Sequence, residues 1–472
     1  MVLYLQDTQL ALIHIPLHLY SNFLQPILQL LLPSSRPSSS DSASTNGSNA
    51  PRSKKSWAYE HPFTNISVTP VECSIACSRE MAEDLFTPVR DSLDPSSRDQ
   101  VSITNEDYIV MQVDGEGLDA GQRVLELTSP LAMAGMCVQL LHDLPQPSTS
   151  PQPQPPVAHQ AQLQNTRSIF SPLARSRRST HQPPNTSHSA YSHTSGADSS
   201  IFFITTYFSD YILVPVRARG QVIKALEDRG FAFEQTTSSY VNPIANSFNT
   251  HTRNKSSSSS FDSLPPPPGT PPPANIHELQ TRTFSLLKRR NIVFAVDPSI
   301  QLVQCAGSKD SASTRPISGG ALNGSSFASR GHPPSVEDTL HLGLVKCLIS
   351  APRPTFLSLT LTDTEPASVL LEKRLLPNFA PDVLLGSKED VLVPITLDLR
   401  DLPLESTGIV CGVAGRLVGG TSGFGGFEGE GSDAVEMSYL STARAGTVMV
   451  GEEELERAME ALRGADEQLE AN

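Results

Sequence analysis

Six cysteines in 472 residues are too few and too scattered to staple this chain. Cys73, Cys77, Cys137, Cys305, Cys347 and Cys411 stand among apolar neighbours, where buried reduced thiols are expected. The one short spacing, Cys73 to Cys77, has no second His/Cys pair to complete four ligands, so no metal site is expected. A long apolar run is missing as well. Between Leu10 and Leu32 the N-terminal segment is broken by His14, Pro16, His18, Ser21, Asn22, Gln25, Pro26 and Gln29, and no basic residue precedes it. That pattern excludes a membrane span and a secretory signal, and the expected location is cytoplasmic. Positive charge is short too: the net charge is -14, with no basic-aromatic signature to offset it, which argues against nucleic acid as a partner.

Catalytic signatures are equally scarce. There is no Gly-x-Ser-x-Gly elbow and no Cys/His arrangement, and the twelve histidines fall mostly in linkers, so no catalytic residue and no cofactor is expected. Gly419, Gly420, Gly423, Gly425, Gly426, Gly429 and Gly431 resemble a phosphate loop only in composition. No Lys-Ser/Thr pair closes the run, and Glu428 and Glu430 would repel a phosphate. The chain reads as a non-enzyme.

What is present begins with residues 200–230, SIFFITTYFSDYILVPV and a helical run. The β-branched and aromatic alternation predicts two strands, with Ser209 and Asp210 supplying turn chemistry between them. Ala218, Val222, Ile223 and Leu226 then recur at helical spacing on one face. The same pattern returns 236 positions later in EMSYLSTARAGTVMVGE, where Thr206 meets Thr442, Val214 meets Val450, Ala225 meets Ala461 and Leu226 meets Leu462. Either the unit is duplicated or two unrelated hairpin-plus-helix units coincide.

Elsewhere strands are expected over residues 9–15, 63–76, 108–113, 291–296, 354–361, 367–372 and 391–399. Helices are expected over residues 20–31, 78–86, 131–144, 336–348 and 408–417. With 38% hydrophobic residues and 39 prolines, about 300 residues can bury a core, enough for two to four compact units. The remainder is Pro/Ser/Gln-rich sequence that cannot order itself. PPPPGTPPP at 265–273 reads as a polyproline II spacer or as a ligand for an SH3 or WW groove. RSRRST at 175–180 reads as a solvated basic patch or as a kinase site at Ser179 or Thr180.

The segments IHIPLHLYSNFLQPILQLLL, SIFFITTYFSDYILVP, FAPDVLLGSKEDVLVPITLDLRDLPLESTGIVCGVAG and EMSYLSTARAGTVMV, taken in order, resemble the CASTOR family of cytosolic arginine sensors. The likeness covers about two thirds of the chain. It implies an α+β fold of four tandem ACT-like βαββαβ modules with long disordered insertions. These would be residues 1–90 (insertion 33–56), 105–235 (insertion 145–199), 281–380 (loop 308–335) and 381–468 (Gly-rich loop 418–434), with a linker at 236–280. It also implies an amino-acid site between the second and fourth modules, action on TOR-type signalling, protein partners in TOR-regulating complexes and a homodimer. Carried over residue by residue, the ligand-binding set is Ser200, Ile201, Ser406, Ile409, Val410, Thr442, Arg444 and Gly446. Ser406 and Gly446 stand where the family has carboxylates that hold the guanidinium, although Glu405 lies one residue away, and Arg444 adds positive charge. A neutral or acidic amino acid is therefore expected in preference to arginine. Two other readings remain at this stage: a ligandless scaffold, and a regulatory subunit of an amino-acid biosynthetic enzyme.

Overall fold

The computed structural model describes residues 2–31, 62–114, 119–136, 201–235, 273–308, 335–402, 408–419 and 434–463. Short alternating segments make its strands: β1 (Val2–Ile15), β2 (Phe63–Val68), β3 (Cys73–Ser78), β4 (Ser102–Ile103), β5 (Tyr108–Asp114), β6 (Phe202–Thr205), β7 (Ser209–Pro215) and β8 (Ala232–Gln235). The second half adds β9 (Phe294–Val296), β10 (Leu302–Gly307), β11 (Leu357–Thr362), β12 (Ser368–Glu372), β13 (Leu384–Leu385), β14 (Leu392–Asp398), β15 (Met437–Ser441) and β16 (Ala445–Gly451). The helices are α1 (Leu24–Leu31), α2 (Arg79–Met81), α3 (Thr87–Ser92), α4 (Pro95–Arg98), α5 (Ala120–Met133), α6 (Arg219–Glu227), α7 (Ile276–Arg289), α8 (Val336–Leu348), α9 (Ile409–Val418) and α10 (Leu455–Arg463).

The fold is mixed α/β, and its sheet closes on itself. The strand path runs β10-β12-β11-β2-β3-β1-β5-β7-β6-β15-β16-β14, and Leu302 of β10 pairs with Leu392 of β14 to complete a ring of twelve strands. Alternation along each strand sends successive residues to opposite faces. On β7, Ile212 and Val214 join a core under the helices, while Tyr211 and Leu213 join a second core enclosed by the ring. Helices α1 and α8 cover the β2–β11 side. On the other side α5 and α9 pack together over β6 and β15, with Ser129 Oγ and Cys411 Sγ in contact at 3.4 Å.

Two seams join the strand groups edge to edge. β2 and β11 run antiparallel in register over six residue pairs, from Phe63 opposite Thr362 to Val68 opposite Leu357. β6 and β15 are joined by one ladder pair, Ile204 opposite Leu440. The two copies of the hairpin unit meet along this second seam. Their second strands and their helices begin and end 236 positions apart, Ser209–Pro215 with Ala445–Gly451 and Arg219–Glu227 with Leu455–Arg463.

Several expectations need correction. The helix expected at 131–144 lies earlier, at Ala120–Met133, because Gly135 takes a left-handed φ of 74° and ends it. The turn comes before Ser209 and Asp210, which are already paired with Asp114 and Val113 of β5. The first strand starts at Val2, where a bulge after Gln6 lets its first half pair with β5 and β8. Helix α7 begins at Ile276, inside the stretch expected to be linker, capped by the Asn275 side chain. Strand β10 was not anticipated. The loops around 309–334 and 420–433, the runs 145–199 and 265–272, Cys137, Ser179 and Thr180 lie outside the described residues.

Candidate functional site

A single device recurs at all four hairpin tips. A threonine hydroxyl spans each turn: Thr69 Oγ1 donates to Glu72 O, Thr206 Oγ1 to Ser209 O at 2.6 Å, Thr362 Oγ1 to Glu365 O, and Thr442 Oγ1 lies 3.1 Å from Ala445 O. The tips then meet in pairs across the ring. At one end the β2–β3 tip meets the β15–β16 tip: the fully buried Glu72 carboxylate accepts from Thr442 Oγ1 at 2.7 Å, from the Arg444 amide and from His14 Nδ1 of β1. At the other end the β11–β12 tip meets the β6–β7 tip. There Glu365 accepts from Ser209 Oγ, from Tyr211 OH at 2.9 Å and from Gln112 Nε2 of β5 at 2.8 Å. Equivalent backbone contacts repeat the pattern, Ala443 N to Ser74 Oγ and Tyr207 N to Ser368 Oγ. These contacts give the ring a pseudo-twofold character.

The residues singled out in the sequence distribute unevenly over this frame. Ile201, Ile409 and Val410 are buried in the core under the helices. Gly446 sits on β16 opposite Ser441 and beside Leu397 of β14. Thr442 is buried, but its hydroxyl is committed to Glu72 and the turn, which removes it from a ligand clamp. Arg444 is half-buried and is not an unopposed cation. Burial holds its guanidinium below the ordinary value, the Glu72 carboxylate raises it, Arg400 lowers it and Asp398 raises it. The Arg444 charge is thus answered by Glu72 and Asp398, with Arg400 also near, and the Glu72 carboxylate, from a hairpin 372 positions away, accepts from its amide. Ser200, Glu405 and Ser406 lie outside the described residues.

The β6–β15 seam has its own polar inventory on the helix-facing side. Tyr439 OH and Ser441 Oγ, both on β15 and both in buried residues, have no hydrogen-bond partner among the described residues. Next to Tyr439, Thr205 Oγ1 accepts from the Tyr439 amide at 3.1 Å. Gly446, opposite Ser441, has no side chain, where its counterpart 236 positions earlier, Asp210, carries a buried carboxylate. That carboxylate is bonded to Arg123 Nε of α5 at 2.7 Å, while burial raises its pKa and Arg123 opposes the rise. β14 ends opposite Ala445, so the connection to α9 leaves the sheet at the same end as Ser441 and Gly446. Helix α9 then starts at Gly408, whose left-handed φ of 79° suits glycine and whose position touches Leu279 of α7. Among the described residues no side chain caps this helix and no acid stands in its first turn, an arrangement that favours an anion at a helix start.

Redox and metal chemistry find no foothold among the described residues. Cys73, Cys77, Cys305, Cys347 and Cys411 are free and buried, and burial pushes the Cys77 thiol up to about 12 and Cys411 up to about 11. No group of three His, Cys, Asp or Glu among the described residues could hold a metal. No helix among them is long and apolar enough to cross a membrane.

Residues 191–228 match the model of the ACT domain, a span that takes in β6, β7 and α6. This segment is similar to an ACT domain. No curated protein matches the chain. Among solved structures it is similar to protein Atu0741 from Agrobacterium tumefaciens, at 12% identity over 50% of this chain and 92% of that one, with a TM-score of 0.21. It is also similar to aspartate kinase from Synechocystis, at 9% identity over 97% of this chain and 54% of that one, with a TM-score of 0.26. The chain thus spans about half the length of that kinase.

Proposed function

We propose that this protein is a non-catalytic, amino-acid-responsive regulator built from four ACT-like modules, and that its ligand binds at the β6–β15 seam. The observation that carries this reading is the contrast between the buried, unpartnered hydroxyls of Tyr439 and Ser441 and the single ladder pair beside them. Buried polar groups are normally satisfied, and the start of α9, reached from the end of β14 that lies opposite Ala445, suits a carboxylate. The four threonine-closed tips support four modules at residues 1–90, 105–235, 281–380 and 381–468. An α-carboxylate at the α9 amides and an α-amine at Ser441 Oγ would leave the ligand side chain facing Gly446. The ligand side chain is neutral or acidic, because Gly446 offers no carboxylate where the earlier copy has Asp210, and Arg123 holds Oδ2 of Asp210 itself. By its resemblance to the CASTOR family, the protein acts in the cytoplasm as a homodimer on TOR-type signalling through protein partners.

Thermal-shift and calorimetric titration with the twenty amino acids tests the reading. A ligand at 100 times its Kd adds about 2.7 kcal/mol to the folded state, a readable rise in Tm. Ser441→Ala should weaken that ligand about tenfold, the size of a lost hydrogen bond at a buried site. A screen in which no amino acid shifts Tm would refute the proposal.

A further inference from the structure

We propose that the Glu72 carboxylate is a latch that sets the shape of the β15–β16 turn and, through that turn, the affinity of the β6–β15 seam for its ligand. The inference rests on the seam reading given above and adds its regulation. One short turn carries both functions on opposite faces. Ser441 and Gly446 point toward the helices, while Thr442, one residue on, points into the ring and donates to Glu72. The Arg444 amide on the same turn donates to the same carboxylate oxygen. Glu72 comes from the β2–β3 tip and is itself fixed by His14 of β1 and by the Thr69 hydroxyl, which accepts from its amide. A movement of the β1–β3 group therefore pulls directly on the turn that carries Ser441.

The other end of the ring shows why only one latch is coupled. Glu365 meets neutral donors, Ser209, Tyr211 and Gln112, and the turn it holds leads into Asp210, already fixed by Arg123. At the Glu72 end the charged neighbours are Arg444, Arg400 and Asp398, and the equivalent of Asp210 is Gly446, with no side chain to fix it. The open site and the charge-rich latch share one hairpin.

Hydrogen exchange on the full chain, without ligand, reads the latch. In Glu72→Gln the amides of 437–451 should exchange at least about tenfold faster, as expected when hydrogen bonds to a charged group are weakened, with 201–215 unchanged. Glu365→Gln should give the reverse pattern. If Glu72→Gln fails to fold, Thr442→Val removes one donor and leaves the carboxylate, and a smaller rise confined to 437–451 is expected. Unchanged exchange at 437–451, or an equal rise in every hairpin, overturns the latch. Calorimetry then reads the coupling: the amino acid found in the screen should bind about tenfold weaker to Glu72→Gln and within about twofold of wild type to Glu365→Gln. Equal weakening in both variants overturns the coupling. If no amino acid binds, the seam reading and the coupling fall together, while the exchange result alone decides the latch.

Discussion

The two edge-to-edge seams of the ring are built from the same kind of strand and finished differently. At β2–β11 six residue pairs are in register, and the polar side chains on the ring face satisfy one another. Asn65 Nδ2 donates to Thr360 Oγ1 at 3.0 Å and lies 3.3 Å from Ser358 Oγ, and Ser67 Oγ donates to Asn65 Oδ1 at 2.8 Å. On the helix-facing side of this seam Thr64 Oγ1 is buried without a partner among the described residues. Above this seam Tyr20 OH donates to Leu348 O at 2.9 Å and ties the helix layer across it. At β6–β15 one pair is in register, and the hydroxyls of Tyr439 and Ser441 have no partner among the described residues. One seam is closed on its ring face by its own side chains. The other has polar capacity to spare, which is the condition a ligand requires.

The largest expected effect tests whether the open seam is framed by a fixed charge pair. Arg123→Ala strands the buried Asp210 carboxylate and should cost about 3–5 kcal/mol in urea unfolding. The double variant with Asp210→Asn should recover most of that loss, since the two sites are in contact and not additive. The pH dependence has a definite sign. Burial raises the folded-state pKa of Asp210 above its unfolded value, so the folded protein holds more protons than the unfolded chain between those two values. Across that window the contribution of this group to stability falls as pH rises, the opposite of an ordinary salt-bridged carboxylate. Asp210→Asn should flatten that part of the stability profile.

The closed seam breaks next. Asn65→Ala removes an amide that serves Ser67, Ser358 and Thr360 at once, and should cost about 1–3 kcal/mol, although Ser67 and Ser358 keep their mutual contact at 2.9 Å. Urea midpoints measure it. A loss no larger than that of an exposed Asn→Ala change would mean the β2–β11 network is not what closes this seam.

Sequence reasoning saw the repeated unit well and its contacts poorly. The period-two and period-3.6 patterns are local, so residues 336–348 and the coincident bounds of the two hairpin units could be read directly from residue order. Helix α7 was hidden by its Pro/Ser-rich approach, although Asn275 and Glu278 were a readable start signal. Strand β10, interrupted by Gln304, alternated too briefly. The Thr-x-x-Glu sequence at both 69–72 and 362–365 was a usable sign of a second duplication. Its function was not readable, because Glu72 meets Thr442 across 370 positions and nothing local to either residue predicts the meeting. The neighbours of Arg444 were hidden for the same reason: charge was counted along the chain, and the Glu72 carboxylate arrives through the fold.

The smallest expected effect separates the seams most sharply, because it compares one atom in each. Tyr20 and Tyr439 are both buried, and burial raises both hydroxyls above the ordinary phenol range. Tyr20→Phe breaks the bond to Leu348 O and leaves that carbonyl without this donor, so a loss of about 1 kcal/mol is expected. Tyr439→Phe removes a hydroxyl that has no partner among the described residues. Its desolvation cost disappears with it, so stability without ligand should stay within about 0.5 kcal/mol of wild type or rise slightly. With the screened amino acid at saturation the order should change: Tyr439→Phe should gain less from ligand than wild type, while Tyr20→Phe should gain the same. Parallel urea titrations of the two variants, with and without ligand, measure all four values. A loss above about 1 kcal/mol in unliganded Tyr439→Phe would mean that hydroxyl already has a partner, and the β6–β15 seam would then be as closed as its counterpart.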